Sequence, residues 1–355
     1  MMRAVLYAAL FALILSLAGT PVAIRFFTRR GYGQEIREDG PKSHQVKRGT
    51  PTMGGTVIVI ATVVAYFLAK LVTLKAPTPS ALLVLLLMVG FGAVGFVDDY
   101  LKIYKKRSLG LRARAKLIGQ WIVTIAFAVL ALNYHDRMGL TPGSTHVSFL
   151  HDISWLSLGP IVFVIWAYLL CAGWSNAYNL TDGLDGQLAG ASAMAFAAYV
   201  VIGVWQYGQT CGTAAAHGCY QVSDPLDLAV VAAATMGACF GFLWWNAAPA
   251  KIFMGDTGSP GLGGAFAGLT VCTHTEILGA IIGGLFLMEM FSVMIQVGSF
   301  KLRNGKRVFK MAPIHHHFEL MDWPEVNITI RFWIISGLCL MTGIGFFYGG
   351  FKSHW

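Results

Sequence analysis

Three short acidic motifs in the sequence could do chemistry: GFVDDY with Asp98 and Asp99, NLTDGLDG with Asp182 and Asp185, and FMGDTGS with Asp256. Each falls where a long apolar run meets a polar segment, a place that otherwise favours Lys and Arg. One such Asp can be a helix cap or the partner of an Arg. Three motifs together point to a metal or phosphate site. On a helix, Asp98 and Asp99 would project about 100° apart and take different roles. Asp182 and Asp185, three apart, would share a helical face or a Gly-rich turn. Carboxylates of this kind suit Mg²⁺ or Mn²⁺, which complete their shell with water and substrate phosphates, whereas no Cys/His spacing supports zinc.

Cationic segments accompany these motifs: PKSHQVKRGTPTMGG (41–55), DYLKIYKKRSLGLRARAK (99–116) and FKMAPIHHHFE (309–319). Glycine backbone N–H groups and basic side chains are what a phosphate needs. Lys47, Arg48 and Lys116 flank Gly/Thr-rich or span-entry positions and are the better candidates, while Lys105, Lys106, Arg107, Lys301 and Arg303 read as ordinary loop charge at a membrane face. The consecutive His315, His316 and His317 would diverge on helix or strand, which suits contact with phosphate or sugar better than chelation. Glu289, inside an apolar run, is costly in lipid and is a functional candidate for that reason. Cys211 and Cys219 share a polar loop and are candidates for a disulfide. With no Walker A motif, Rossmann fingerprint or nucleophile elbow, the residues point to metal-assisted phosphoryl chemistry between a charged soluble substrate and a lipid.

The elements that carry these motifs must be membrane helices. Of 355 residues, 56% are hydrophobic and 12% charged, where a soluble domain has about 25% charged. The 23 Phe, 10 Trp and 12 Tyr exclude disorder. Ten segments are long and apolar enough to cross a hydrocarbon core of about 30 Å. They lie near Val5–Phe26, Met53–Leu74, Ala81–Val97, Leu117–Asn133, Gly159–Ala177, Gln187–Tyr207, Leu228–Trp245, Ser259–Thr273, Ile277–Phe300 and Ile328–Gly350. The expected fold is therefore all-α, a polytopic membrane protein of about ten transmembrane helices in a single integral-membrane domain over residues 1–355. Of 26 Lys and Arg, 20 fall in 25–52, 98–116, 246–258 and 301–327, against five on the other face. The positive-inside preference makes the first face cytoplasmic, with all three acidic motifs on it, and both termini periplasmic. The net charge of +9 thus reads as topology rather than nucleic-acid binding. The eighth segment, short and Gly-rich, is retained as a span because omitting it would put 301–327 on the wrong side. His135, His146, His151, His217 and His354 fall on the outer face, away from the chemistry.

At KRGTPTMGG, GFVDDYLK, NAYNLTDGLDG, KIFMGDTGS and MAPIHHHFE the chain resembles the phospho-N-acetylmuramoyl-pentapeptide transferases, within the wider polyprenyl-phosphate N-acetylhexosamine-1-phosphate transferase superfamily. The Asp motifs are shared across the superfamily, whereas KRGTPTMGG and PIHHHFE are specific to the muramoyl-pentapeptide branch. The resemblance covers nearly the whole chain. It implies ten helices, a homodimer, Mg²⁺ as cofactor, and transfer of phospho-MurNAc-pentapeptide from UDP-MurNAc-pentapeptide to undecaprenyl phosphate. The products would be lipid I and UMP, at the cytoplasmic face of the bacterial inner membrane, in peptidoglycan synthesis. It further implies that Asp98, Asp99 and Asp256 are catalytic, with Asp256 binding the metal, and that Asn179, Asp182 and Asp185 form the nucleoside-side motif. Phe253 would stack on uracil, and Lys47, Thr52, Lys116, Asn246, Gln296, His315 and His316 would be further substrate-binding positions. Transfer of a phospho-N-acetylhexosamine to the same lipid would use the same Asp set and stands as the alternative.

Overall fold

Lipid offers no hydrogen bonds to a backbone, so long apolar runs close their own as helices, and the computed structural model follows that rule. It describes residues 2–33, 47, 49–105, 110–136, 138–211 and 219–352. Arg48, Lys106, Arg107, Arg137, His217 and His354 lie outside the described residues. In chain order the elements are α1 (Met2–Arg29), α2 (Gly55–Val72), α3 (Pro79–Lys105), α4 (Ala113–Asn133), a hairpin of β1 (His146–Ser148) and β2 (Asp152–Ser157), then α5 (Gly159–Thr181), α6 (Gln187–Gly208) and α7 (Pro225–Asn246). They continue as α8 (Gly255–Cys272), α9 (Glu276–Ile282), α10 (Gly284–Leu302), α11 (Ile314–Glu319) and α12 (Glu325–Lys352). Among the described residues, nine helices are long and apolar enough to cross a membrane. The protein is an all-α, multi-pass membrane protein.

The eighth expected segment is a helix but not one of the nine. α8 is buried along almost its whole length from Thr257 to Cys272, chiefly between α3 and α5. Meeting neighbouring helices rather than lipid, it can be rich in glycine, which lets backbones approach closely. A Cβ on Gly258 would stand 2.7 Å from the Gly55 Cα, and one on Gly263 would stand 2.6 Å from the Ser175 Cα. The ninth segment breaks at Gly283 into α9 and α10, where the Trp174 ring fills the place of a side chain, 2.6 Å from a Cβ built there. α3 runs eight residues past the expected edge at Val97, so Asp98, Asp99 and Lys102 sit on its last turns.

The segments that follow α1, α3, α5 and α7, together with the α10–α12 connection, gather at one end of the bundle. At the other end, the β1–β2 hairpin pairs His146 with Ser157 and Ser148 with Asp152. Cys211 and Cys219 are joined there by a disulfide, and the end of α12 arrives with Phe347 stacked on Tyr220. A buried network stitches this end, with Asp227 bound to Lys70 Nζ at 2.7 Å and to the Tyr66 and Thr78 hydroxyls, each at 2.8 Å.

Candidate active site

The site is built where the last turns of α3 meet the start of α8. The two backbones nearly touch: a Cβ on Gly95 would lie 1.5 Å from the Asp256 carbonyl oxygen. Gly255, at a positive φ of 74°, turns the chain into α8, and a Cβ there would meet Asp99 Oδ2 and Thr52 Oγ1, both at 2.8 Å. Asp99 accepts hydrogen bonds from the Asp256 N–H at 3.2 Å, the Thr257 N–H at 2.9 Å and the Thr257 hydroxyl at 2.9 Å. It therefore caps α8 from another helix, satisfying donors that a helix start leaves open.

That capping leaves the Asp256 carboxylate for other partners. Its Oδ1 accepts from Asn179 Nδ2 at 2.8 Å, and its Oδ2 faces Lys102 Nζ and Lys116 Nζ, each at 2.8 Å. The same ammoniums lie 2.8 and 2.9 Å from Asp98 Oδ2. Oxygens of Asp98, Asp99 and Asp256 lie within 4.8 Å of one another. The Asp98 side chain is 1% exposed, while Lys102 and Lys116 are 31% and 34% exposed, so the anions form the floor and the lysines cover them. Three carboxylates this close are an oxygen donor set that fits Mg²⁺ or Mn²⁺, and no Cys joins it.

A second cluster adjoins the first through the 182–186 turn. Lys47 Nζ bridges Asp185 Oδ1 at 2.7 Å and Glu325 Oε1 at 2.6 Å. Asp185 Oδ2 accepts from the Ala250 N–H at 2.9 Å, and the Asp185 N–H donates to Glu325 at 2.8 Å. Burial alone would lower the Lys47 pKa, but the hydrogen bonds and charges of the two carboxylates hold it above the ordinary lysine value. Half-buried Asp182 is pushed up to about 8, first by burial and then by the negative charges of Asp256 and Asp99, against relief from a Gly255 backbone hydrogen bond. Asp182 and Asp185 thus lie around a Gly-rich turn rather than on a helical face.

The remaining expected positions line the same end in different ways. Phe253 is half-buried, with its N–H donating to Pro51 at 2.8 Å and its carbonyl accepting from Gly54 at 2.9 Å, which sets it beside buried Thr52. Asn246 is buried and donates to the Ile252 carbonyl at 2.9 Å, closing the loop that presents Phe253. Gln296 is engaged with the backbone of Val308 and Phe309 through three hydrogen bonds. His315 is buried, its Nδ1 lying 2.9 Å from Glu289 Oε1, which also accepts from Gln187 Nε2 at 2.9 Å. Its Nε2 packs on Gly183, where a Cβ would lie only 2.0 Å away. His315 therefore props the Asp182–Asp185 turn from beneath. His316 Nδ1 lies 2.6 Å from Glu319 Oε2.

Sequence reasoning did not single out Lys102 or Glu325. Lys102 had a signal, since it stands three and four residues after the acidic pair on one helical face. Glu325 had none, because it meets Asp185 from 140 positions away. A cavity of about 780 Å³ opens at the opposite end, beside Asp152, His274 and Tyr220. It contains none of the acidic motifs and so is not where this chemistry collects.

Residues 81–274 match the family described as Glycosyl transferase family 4, and residues 47–59 match Phospho-N-acetylmuramoyl-pentapeptide-transferase signature 1. The phospho-N-acetylmuramoyl-pentapeptide-transferase of Frankia alni is 62% identical, covering 99% of this chain and 99% of its own. The enzymes of the same name from Frankia casuarinae and Streptomyces avermitilis are 61% and 58% identical, again over 99% of both chains.

Proposed function

The chain belongs to the phospho-N-acetylmuramoyl-pentapeptide transferase family, and from that membership and its site we propose that it transfers phospho-MurNAc-pentapeptide from UDP-MurNAc-pentapeptide to undecaprenyl phosphate, giving lipid I and UMP. The observation that carries this reading is the convergence of Asp98, Asp99, Asp256, Lys102 and Lys116 at one end of a membrane bundle. Carboxylates and ammoniums at one end of the helices are groups that both a lipid phosphate and a soluble nucleotide could reach.

In the transfer, an oxygen of the lipid phosphate attacks the β-phosphorus of the UDP-sugar. The bond from that phosphorus to the bridging oxygen breaks, and its electrons leave with UMP. Asp98, fixed beside Lys102 and Lys116, orients the lipid phosphate, whose second pKa near 6 makes strong basicity unnecessary. Mg²⁺, held by Asp256 with Asp98 and Asp99 in reach, would neutralise charge on the diphosphate and the leaving UMP. Asp99 holds the start of α8 and so sets where the Asp256 carboxylate stands. Lys47, Asp185 and Glu325 lock the loops around Phe253, whose half-buried ring offers a stacking face to uracil.

The end bearing the site is assigned to the cytoplasm of a bacterial inner membrane, with both termini outside, while a homodimer is what the family resemblance alone implies. Support comes from the excess of Lys and Arg at the site end and from the Cys211–Cys219 disulfide at the other, since disulfides persist in oxidising compartments. The test is UMP release by the purified protein with undecaprenyl phosphate and Mg²⁺, comparing UDP-MurNAc-pentapeptide with a UDP-N-acetylhexosamine. Turnover of the first alone is expected. Turnover of only the second would replace this reading with the sister activity.

A further inference from the structure

Two lysines from different helices converge on the same two carboxylate oxygens. Lys102 Nζ, from α3, lies 2.8 Å from Asp98 Oδ2, 2.8 Å from Asp256 Oδ2 and 3.8 Å from Asp99 Oδ1, so one ammonium reaches all three carboxylates. Lys116 Nζ, from α4, lies 2.9 and 2.8 Å from the same oxygens of Asp98 and Asp256. Asp99 is already taken up by three donors from α8, Asp98 Oδ1 accepts from the Leu111 N–H and Asp256 Oδ1 from Asn179, which leaves Asp98 Oδ2 and Asp256 Oδ2 as the oxygens able to change partners. An ammonium is a compact point charge that binds carboxylate lone pairs much as a metal ion does, but it carries one charge where a divalent ion carries two. A divalent cation on the same two oxygens would compete with both ammoniums for their lone pairs.

We infer that Lys102 and Lys116 hold the place of the divalent cation in the metal-free protein and give up Asp98 Oδ2 and Asp256 Oδ2 when the cation enters. Both stems reach in from the solvent side, so the displaced ammoniums remain at the mouth of the site, where they meet the phosphate oxygens of the incoming substrate. Metal entry thereby primes the anion-binding groups, and Lys102 becomes a substrate-contacting residue. The inference rests on the metal reading given above and deepens it. Its consequence is that cation affinity is limited by competition. Without one ammonium the carboxylates are less compensated and their oxygens have one competitor fewer, so a divalent ion binds tighter.

The test uses the full-length protein in detergent and Mn²⁺ as the probe, with free Mn²⁺ read by electron paramagnetic resonance. Wild type should bind Mn²⁺, Asp256→Asn should lose that binding, and Lys102→Met and Lys116→Met should each bind about tenfold tighter or more, since the charge removed lies in direct contact with the ligand oxygens. A second measurement needs no variant: labelling of wild-type Lys102 and Lys116 by an amine-specific reagent, followed by peptide mass spectrometry, should rise when Mn²⁺ is added. If Mn²⁺ binds and Asp256→Asn abolishes it, but lysine labelling and the variants' affinities stay at wild-type values, the displacement idea is overturned and the metal site stands. If wild type binds no Mn²⁺, both fall. Should the lysine variants not fold, the wild-type labelling decides.

Discussion

Asp99 and Asp256 stand against each other at one helix start, and exchanging their side chains should separate support from chemistry. Asp99→Ala removes the acceptor for two backbone N–H groups and the Thr257 hydroxyl. Losing a helix cap costs about 0.5–2 kcal/mol, and leaving buried donors without a partner adds about 1–3 kcal/mol. The expected loss is about 1.5–5 kcal/mol, visible as a clear fall in melting temperature without metal. Asp256→Asn keeps the shape and can still accept from Asn179, but turns an amide NH₂ or a neutral oxygen towards two ammoniums. Those ammoniums are about one-third exposed, so each lost pair is worth no more than about 1 kcal/mol. Stability should therefore fall less than in Asp99→Ala. Activity should fall more: loss of about 3 kcal/mol or more of transition-state stabilisation is roughly a hundredfold or greater drop in rate. The assay is UMP release across a Mg²⁺ titration, with thermal melts of both variants as folding controls. An Asp99→Ala protein melting with wild type, or an Asp256→Asn protein that turns over normally at the same Mg²⁺ dependence, would refute the division of labour between the two.

Two further predictions follow from the packing and from the opposite end of the bundle. Gly95→Ala would put a Cβ 1.5 Å from the Asp256 carbonyl oxygen, so α3 and α8 must separate at a cost of about 1–3 kcal/mol or more; melting temperature and turnover should fall together, whereas Gly345→Ala, with nothing within 4 Å on α12, should leave both unchanged or slightly raise stability. His274 Nδ1 lies 3.2 Å from Asp152 Oδ1, and Asp152, aided by His274 and the hydroxyls of Ser144 and Ser148, is held below the usual carboxylate range despite burial. His274 is raised by Asp152 although burial opposes it. The histidine's contribution is complete below about pH 6.5 and lost as pH climbs through its raised value, while the aspartate's is lost only as pH falls below about 4. His274→Gln should thus destabilise the protein by about 1.5–3 kcal/mol near pH 6 and by clearly less at pH 9, read from melts at the two pH values; an equal loss at both would show that the pair is not ionic.

How much of this was legible depended on how local each signal was. Apolar runs marked nine helices directly because lipid demands them. The α8 segment needed the charge balance of its neighbouring loops, since a helix buried among helices may be Gly-rich and only weakly hydropathic. The Cys211–Cys219 pair, eight apart in one loop, was readable from proximity. The two possible roles of Asp256, cap or metal ligand, could not be separated in the sequence, because the residue that caps α8 is Asp99, 157 positions earlier. Asn246 and Gln296 entered through family resemblance as substrate-binding positions, and here their amides close loops around the site. His315 was expected at a phosphate or sugar. Its burial against Glu289 and Gly183 explains why a carboxylate inside an apolar run is tolerated, since it orients an imidazole that supports the Asp182–Asp185 turn.

The charge balance of the site bears on what it can bind. Asp98, Asp99 and Asp256 face two ammoniums, and Asp185 and Glu325 share one. Among the described residues each cluster therefore carries more negative than positive charge, with Asp182 between them pushed up to about 8 by burial first and then by the negative charges of Asp256 and Asp99. A diphosphate entering such a site would be repelled, although the basic loops of the surrounding face draw it near. Rearranging the lysines alone cannot change the sign, because the carboxylates they leave become uncompensated. A divalent cation on Asp98 and Asp256 would change it by satisfying the carboxylates and, through the displacement proposed above, releasing both ammoniums. The proposed cation would thus reconcile the acidity of the motifs with an anionic substrate, which is why the lysines and the metal have to be measured together.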